Sequence, residues 1–135
     1  MYLIIIGAGA VAQQLIEIAK KQGHRVAVIE KEAEPARKIM QKFDVQIFNA
    51  NVAKAHILEE AEVNHADAII ATTKDDSVNL MAMVLGKNYQ VPNLITLLQE
   101  KEHRTMFEQL GVKVLTDPEK LIAQKLHSFI EENND

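Results

Sequence analysis

At 135 residues, 47% of them hydrophobic and 25% charged, the chain is the size of one globular domain that can bury its core without disulfides or metals. It contains no cysteine, which excludes a disulfide framework, a thiolate nucleophile and any Cys-ligated metal. A net charge of -4 with no basic block argues against a nucleic-acid-binding face, and the longest apolar runs, such as Leu3-Ile4-Ile5-Ile6, are too short to span a bilayer.

The first predicted strand is Tyr2–Ile6; no charged region precedes its apolar run, so it does not read as a signal peptide. A helical pattern follows at Val11, Leu15, Ile18 and Ala19 and stops near Gly23. Arg25–Glu30 is the second strand, and Pro35 marks the start of a helix carrying Ala36, Ile39 and Met40. Val45–Phe48 is the third strand, with a short helix over Ala55–Ala61. After the fourth strand, Ala68–Ala71, either Asp75 or Asp76 caps a helix carrying Val78, Leu80, Met81, Val84 and Leu85. Asn93–Leu97 is the fifth strand, Glu102–Leu110 a helix ending at Gly111, and Lys113–Leu115 the sixth strand. Asp117-Pro118 opens a last helix with Leu121, Ile122, Lys125, Leu126 and Phe129, and the polar tail Glu131–Asp135 is expected to be disordered.

Continuous apolar strands alternating with amphipathic helices imply parallel pairing through right-handed crossovers. The expectation is one α/β domain over residues 1–135 with a Rossmann-type, doubly wound sheet. Its six parallel strands take the order 3-2-1-4-5-6, with helices on both faces.

The strongest local signal is Gly7-Ala8-Gly9-Ala10-Val11-Ala12, between the first strand and the first helix. Gly7 permits the tight turn, Gly9 leaves room for backbone to approach a pyrophosphate, and Ala12 lets helix and strand pack closely. The helix start then offers free N–H groups and the positive end of its dipole to phosphate, with no basic side chain required. Glu30 ends the second strand about 20 residues further on, where a carboxylate accepts from both hydroxyls of an adenosine ribose and repels a 2′-phosphate. NAD(H) is thereby favoured over NADP(H), although Lys31 and Arg37 are neighbouring cations that soften the repulsion. Asn51, helped by the Val52 backbone, either meets an adenine edge or merely favours a turn. Thr72 and Thr73 are placed to contact ribose or phosphate, whereas Lys74 is as readily a solvated loop residue.

Other chemistry is missing from the sequence. His24, His56, His65, His103 and His127 form no close metal-ligand pair and read as surface or packing residues; no metal site is expected. There is no G-x-S-x-G elbow and no Gly-Lys-Ser/Thr triplet. Six strands and their helices consume the chain, leaving no second domain for a substrate pocket, so no catalytic residues are assigned and the protein is not expected to be an enzyme.

The whole pattern resembles the N-terminal lobe of the RCK domain, also called KTN or TrkA-N, found in regulators of potassium channels and transporters. The resemblance rests on Ile4–Gly9, on Gly23–Glu30, on the run from Ala66 to Leu80, and on the run from Phe107 to Pro118. It implies a ligand-sensing regulatory domain that binds NAD(H), or alternatively ATP, ADP or AMP, through Gly7, Ala8, Gly9, Ala10, Val11, Glu30, Lys31, Asn51, Val52, Thr72 and Thr73. Within that set, the glycine loop meets the phosphates, Glu30 the adenosine ribose, Asn51 and Val52 adenine, and Thr72 and Thr73 the remaining ribose and phosphate. It implies a membrane potassium transporter or channel subunit as partner, and a cytoplasmic position at the inner face of the membrane through that partner, without direct insertion. It also implies a homodimer or larger ring, with residues 118–132 as a crossover helix whose apolar side chains pack either within the domain or against a twin. Three departures stand out: Ala10 replaces an Arg that can reach a terminal phosphate, Ala12 replaces the third glycine, and Ala50-Asn51 replaces a Gly-Asp pair. Two other readings are a module regulating a different cation transporter, such as a cation–proton antiporter, and the cofactor half of an NAD-dependent oxidoreductase.

Overall fold

The computed structural model describes residues 1–134. Its strands are β1 (Tyr2–Ile6), β2 (Arg25–Ile29), β3 (Gln46–Phe48), β4 (Ala68–Ala71), β5 (Asn93–Leu98) and β6 (Lys113–Thr116). They form one parallel sheet in the order β3-β2-β1-β4-β5-β6, the Rossmann-type arrangement expected from the alternation of elements. The helices are α1 (Ala10–Lys21), α2 (Ala33–Lys42), α3 (Ile57–Glu60), α4 (Asp76–Asn88), α5 (Arg104–Gln109) and α6 (Pro118–Asn134).

Both faces of the sheet are covered, which is why the central strands read as unbroken apolar runs. In β1, Tyr2, Ile4 and Ile6 enter a core shared with Ile29, Ile69, Met83 and Phe107. The intervening Leu3 and Ile5 enter a second core with Ile16 and Ala19 of α1, Val28 of β2 and Ile39 of α2. Ile6 pairs with Ile29 on one side and Ala71 on the other, so β2, β1 and β4 end level with one another. Their outgoing loops therefore converge beside the place where the strand order reverses, the usual location of a ligand crevice in such sheets.

Several boundaries differ from the sequence expectation for identifiable reasons. α2 begins at Ala33, so Pro35 sits inside the first turn, where no backbone N–H is required. The helix expected over Glu102–Leu110 is a 3-10 turn at Lys101–His103 followed by α5. The tail expected to be disordered from Glu131 instead continues α6 through Asn134, because neither Gly nor Pro interrupts the chain after Pro118; Asp135 lies outside the described residues. α6 does not fold its apolar side chains back onto the domain: Leu121, Ile122, Leu126 and Phe129 are 44–62% exposed.

Ile16 is wholly buried and fixes α1 against the sheet behind the Gly7–Gly9 turn. Ile16→Ala is expected to lower unfolding free energy by about 2–5 kcal/mol in urea titration, through lost transfer energy plus the cavity left behind.

Candidate functional site

β1 leads into α1 through a turn that only glycine can make at its first position. Gly7 has φ 109°, a region that L side chains rarely adopt, and a Cβ there would lie 2.7 Å from Thr72 Oγ1. Its N–H donates to the Ile29 carbonyl at 3.0 Å, while the Thr72 N–H donates to the Ile6 carbonyl at 2.9 Å, so the turn is tied to both neighbouring strands. Gly9 differs. Its φ is −80° and a Cβ would meet nothing within 4 Å, so neither backbone nor packing demands a glycine. The space its missing side chain leaves lies in front of α1.

That space faces an open helix terminus. No side chain caps α1 and no acidic residue stands in its first turn. Gln13 is the first residue whose N–H turns back, donating to the Gly9 carbonyl at 3.0 Å, which leaves the amides of Ala10, Val11 and Ala12 without a described acceptor. α4, at the neighbouring strand end, is closed by contrast: Asp75 accepts from the N–H groups of Ser77 and Val78. α2 and α6 also start beside the crevice and carry an acid in the first turn, Glu34 and Glu119, so of these four helix starts that of α1 is the one with neither cap nor acid.

Two adjoining cavities lie along this turn. The first, about 310 Å³, has Ile6, Ile29, Val52 and Val78 as apolar walls, with Glu30, Lys31 and Asn51 at its polar side. The second, about 430 Å³, is bounded by Gly7 through Val11, by Thr72, Leu97 and Gln99, and by Pro118, Glu119 and Ile122 of α6. Gly7, Glu30, Thr73 and Lys74 border both. The expected site residues are thus gathered around one crevice: Ala8, Gly9, Ala10, Val11 and Thr72 in its second part, Lys31, Asn51 and Val52 in its first.

The side chains differ in what they have left to offer. The Glu30 carboxylate has one protein contact, a long 3.4 Å bond from the Glu32 N–H, and is otherwise available. Its backbone is held by Asn49, whose Nδ2 donates to the Glu30 and Lys31 carbonyls at 2.9 and 3.1 Å. Asn51 Oδ1 already accepts from the Ala53 N–H at 2.8 Å, the turn-forming alternative for this residue, and keeps its second lone pair and its NH₂ group. Thr72 donates its hydroxyl to the Ile6 carbonyl, and Thr73 donates to Asn79 Oδ1 at 2.6 Å. With their protons directed into the protein, the hydroxyls can offer a ligand only acceptor lone pairs, and Thr73 Oγ1 already accepts from the Asp75 N–H at 3.2 Å.

Sequence reasoning missed the residues that brace this end of the sheet. Asn79, fully buried, receives the Thr73 hydroxyl and donates to the Thr73 and Leu97 carbonyls, joining the loop after β4 to the end of β5. Asp76 is not a helix cap. Its carboxylate accepts from the Gln99 N–H at 2.9 Å and the Glu100 N–H at 3.0 Å, and lies 2.8 Å from His103 Nδ1. His103, expected to be a surface or packing residue, is part of this clamp. The one available signal was the doubled Asp75-Asp76, since a cap needs only one carboxylate.

A family model described as the TrkA-N domain matches residues 3–118. The chain is 29% identical over 130 residues to a Trk system potassium uptake protein TrkA homolog of Methanothermobacter thermautotrophicus, covering 96% of this chain and 60% of that protein. It spans 43 to 60% of the length of three such relatives. Its fold is similar to that of the NAD(P)-binding domain of an exopolyphosphatase-related protein from Archaeoglobus fulgidus, with a TM-score of 0.82 and 18% identity over 96% of this chain and 97% of that one. It is also similar to the Kef CTD of Shewanella denitrificans in AMP bound form, with a TM-score of 0.79 and 16% identity over 96% of this chain and 80% of that one.

Burial opposes ionisation of Asp76, but the hydrogen bonds from the Gln99 amide, His103 and the Glu100 amide outweigh it and hold the carboxyl below its ordinary value. A folded-state value below the unfolded one, about 3.9 for Asp, gives stability that is present at neutral pH and is lost as pH falls through the folded value. Asp76→Asn should therefore be less stable than the parent at pH 7 in urea titration, and should lose less on acidification to about pH 3. Equal acid sensitivity in the two proteins is the contrary result.

Proposed function

The chain belongs to the TrkA-N domain family, and on that premise we propose that it senses an adenine nucleotide, NAD(H) in preference to ATP, ADP or AMP, and regulates a membrane potassium uptake system or channel. The observation that carries this reading is the uncapped start of α1, opening on a crevice where Glu30 stands with an uncommitted carboxylate. In this placement the amides of Ala10 and Val11 receive phosphate beside Gly9, and Glu30 receives the adenosine ribose hydroxyls. The adenine ring lies against Ile29, Val52 and Val78, with Asn51 at its edge and Lys31 flanking the ribose.

Among the described residues, no histidine borders either cavity and no group of three or more His, Asp or Glu residues is arranged to hold a metal. We read the chain as a single RCK N-terminal domain over residues 1–135 that acts by changing its arrangement within a homodimer or larger ring, with residues 118–132 as the crossover segment. No helix among the described residues is long and apolar enough to cross a membrane. Residence in the cytoplasm at the inner membrane face, through the potassium pathway's own subunit, belongs to the same proposal. A ligand drives such a change only to the extent that it binds one arrangement more tightly than the other.

Calorimetric titration with NADH, NAD, ATP, ADP and AMP is expected to show binding, tightest for the dinucleotides. Gly9→Val, whose Cβ meets no protein atom within 4 Å, should lower unfolding free energy by no more than about 1 kcal/mol, the cost of a poorer helix N-cap. The same variant should weaken every nucleotide at least about tenfold, a change of about 1.4 kcal/mol in binding. Undiminished affinity in Gly9→Val, or no heat with any of the five, refutes the site.

A further inference from the structure

We infer that Asn51 meets the base of a bound nucleotide as a hydrogen-bond donor, so that the first cavity takes a 6-oxopurine nucleotide, of the inosine or guanosine class, alongside an adenine one. The inference rests on the nucleotide reading above and adds which purines that site distinguishes. Asn51 follows β3 and borders the cavity of about 310 Å³ whose apolar walls, Ile29, Val52 and Val78, flank a flat ring. A turn holds its side chain in place: Oδ1 accepts from the Ala53 N–H at 2.8 Å, while the Asn51 carbonyl accepts from the Lys54 N–H at 2.9 Å. Of the two ends of a side-chain amide only the oxygen can accept from an N–H, so this bond settles which way the amide is turned.

With the oxygen bound to the Ala53 backbone, the NH₂ group is left without an acceptor among the described residues. The Val52 N–H beside it has no described acceptor either. The loop after β3 therefore offers a base an edge rich in donors. Purines differ in what they return to such an edge. A 6-oxopurine presents two neighbouring acceptors, O6 and N7, whereas adenine presents N7 next to a 6-amino donor. Reading adenine through its paired N6 and N7 takes an amide with both arms available, one to accept and one to donate. Asn51 has committed its oxygen to the loop, so it donates to N7 of either ring or to O6 of the oxopurine. The second lone pair of Oδ1 is the rival partner for the 6-amino group, and the two assignments predict opposite selectivities.

IMP and AMP share their ribose and phosphate, so comparing them isolates the base. In calorimetry the parent protein should bind IMP within about fivefold of AMP, a margin no larger than one neutral hydrogen bond contributes. Asn51 is exposed, and Asn51→Asp keeps an oxygen for the Ala53 N–H while exchanging the NH₂ group for a second acceptor. In that variant an acceptor faces O6, and the ratio of IMP affinity to AMP affinity should fall at least about tenfold. NMR supplies a reading independent of the variant's affinity: the Asn51 NH₂ protons of the parent, identified by their absence from Asn51→Asp, should move downfield when IMP binds. A parent that prefers AMP by a wider margin, a ratio that falls less in Asn51→Asp, or NH₂ protons that IMP does not move overturns the donor assignment and leaves the nucleotide site standing. Failure of AMP and IMP alike to bind the parent overturns both.

Discussion

The first helix of this protein begins with backbone amides that the fold does not satisfy. Parallel pairing obliges each strand to end at the same edge of the sheet and to hand over to a helix there, and the level ending of β1, β2 and β4 brings three such handovers together. At α1 the polypeptide supplies no cap, no acid in the first turn and no side chain at Gly9. Partial positive charge is therefore concentrated at the floor of a crevice whose far side carries the Glu30 carboxylate. A ligand that carries phosphate next to a sugar diol answers both groups at once.

The surroundings sharpen that selectivity by what they withhold. α4, starting at the same sheet edge, has its first-turn amides capped by Asp75, and α2 and α6 carry acids in their first turns, which leaves α1 as the helix start best suited to an anion. Thr72 and Thr73 face the crevice, yet their hydroxyl protons serve the Ile6 carbonyl and Asn79. In the proposed placement phosphate meets the α1 amides, with Lys74 at the border of the two cavities. The bracing network of Asn79, Asp76 and His103 lies behind the site and fixes the loops after β4 and β5 relative to each other, so that a ligand finds its walls already formed.

α6 gives this arrangement an outlet. Its first turn borders the crevice while Leu126 and Phe129 further along remain exposed. Cavity wall and exposed apolar surface thus belong to one continuous helix. The chain covers only part of the length of the potassium uptake relatives it resembles.

The order of strands and helices, the glycine turn and Glu30 were legible in the sequence because each rests on local chemistry. Ile4-Ile5-Ile6 needs cover on both faces, Gly7 needs a conformation other residues resist, and a carboxylate at the end of β2 falls beside that turn in any sheet of this order. The pairing of Asp76 with the Gln99 and Glu100 amides and with His103 was not legible, because it depends on β5 lying next to β4, which places residues more than twenty positions apart within one hydrogen bond. The commitment of the threonine protons and the second wall made by Glu119 and Ile122 were hidden for the same reason. Which donors remain free, and which helix closes a cavity, are properties of neighbours in space, and only the folded chain decides who those neighbours are.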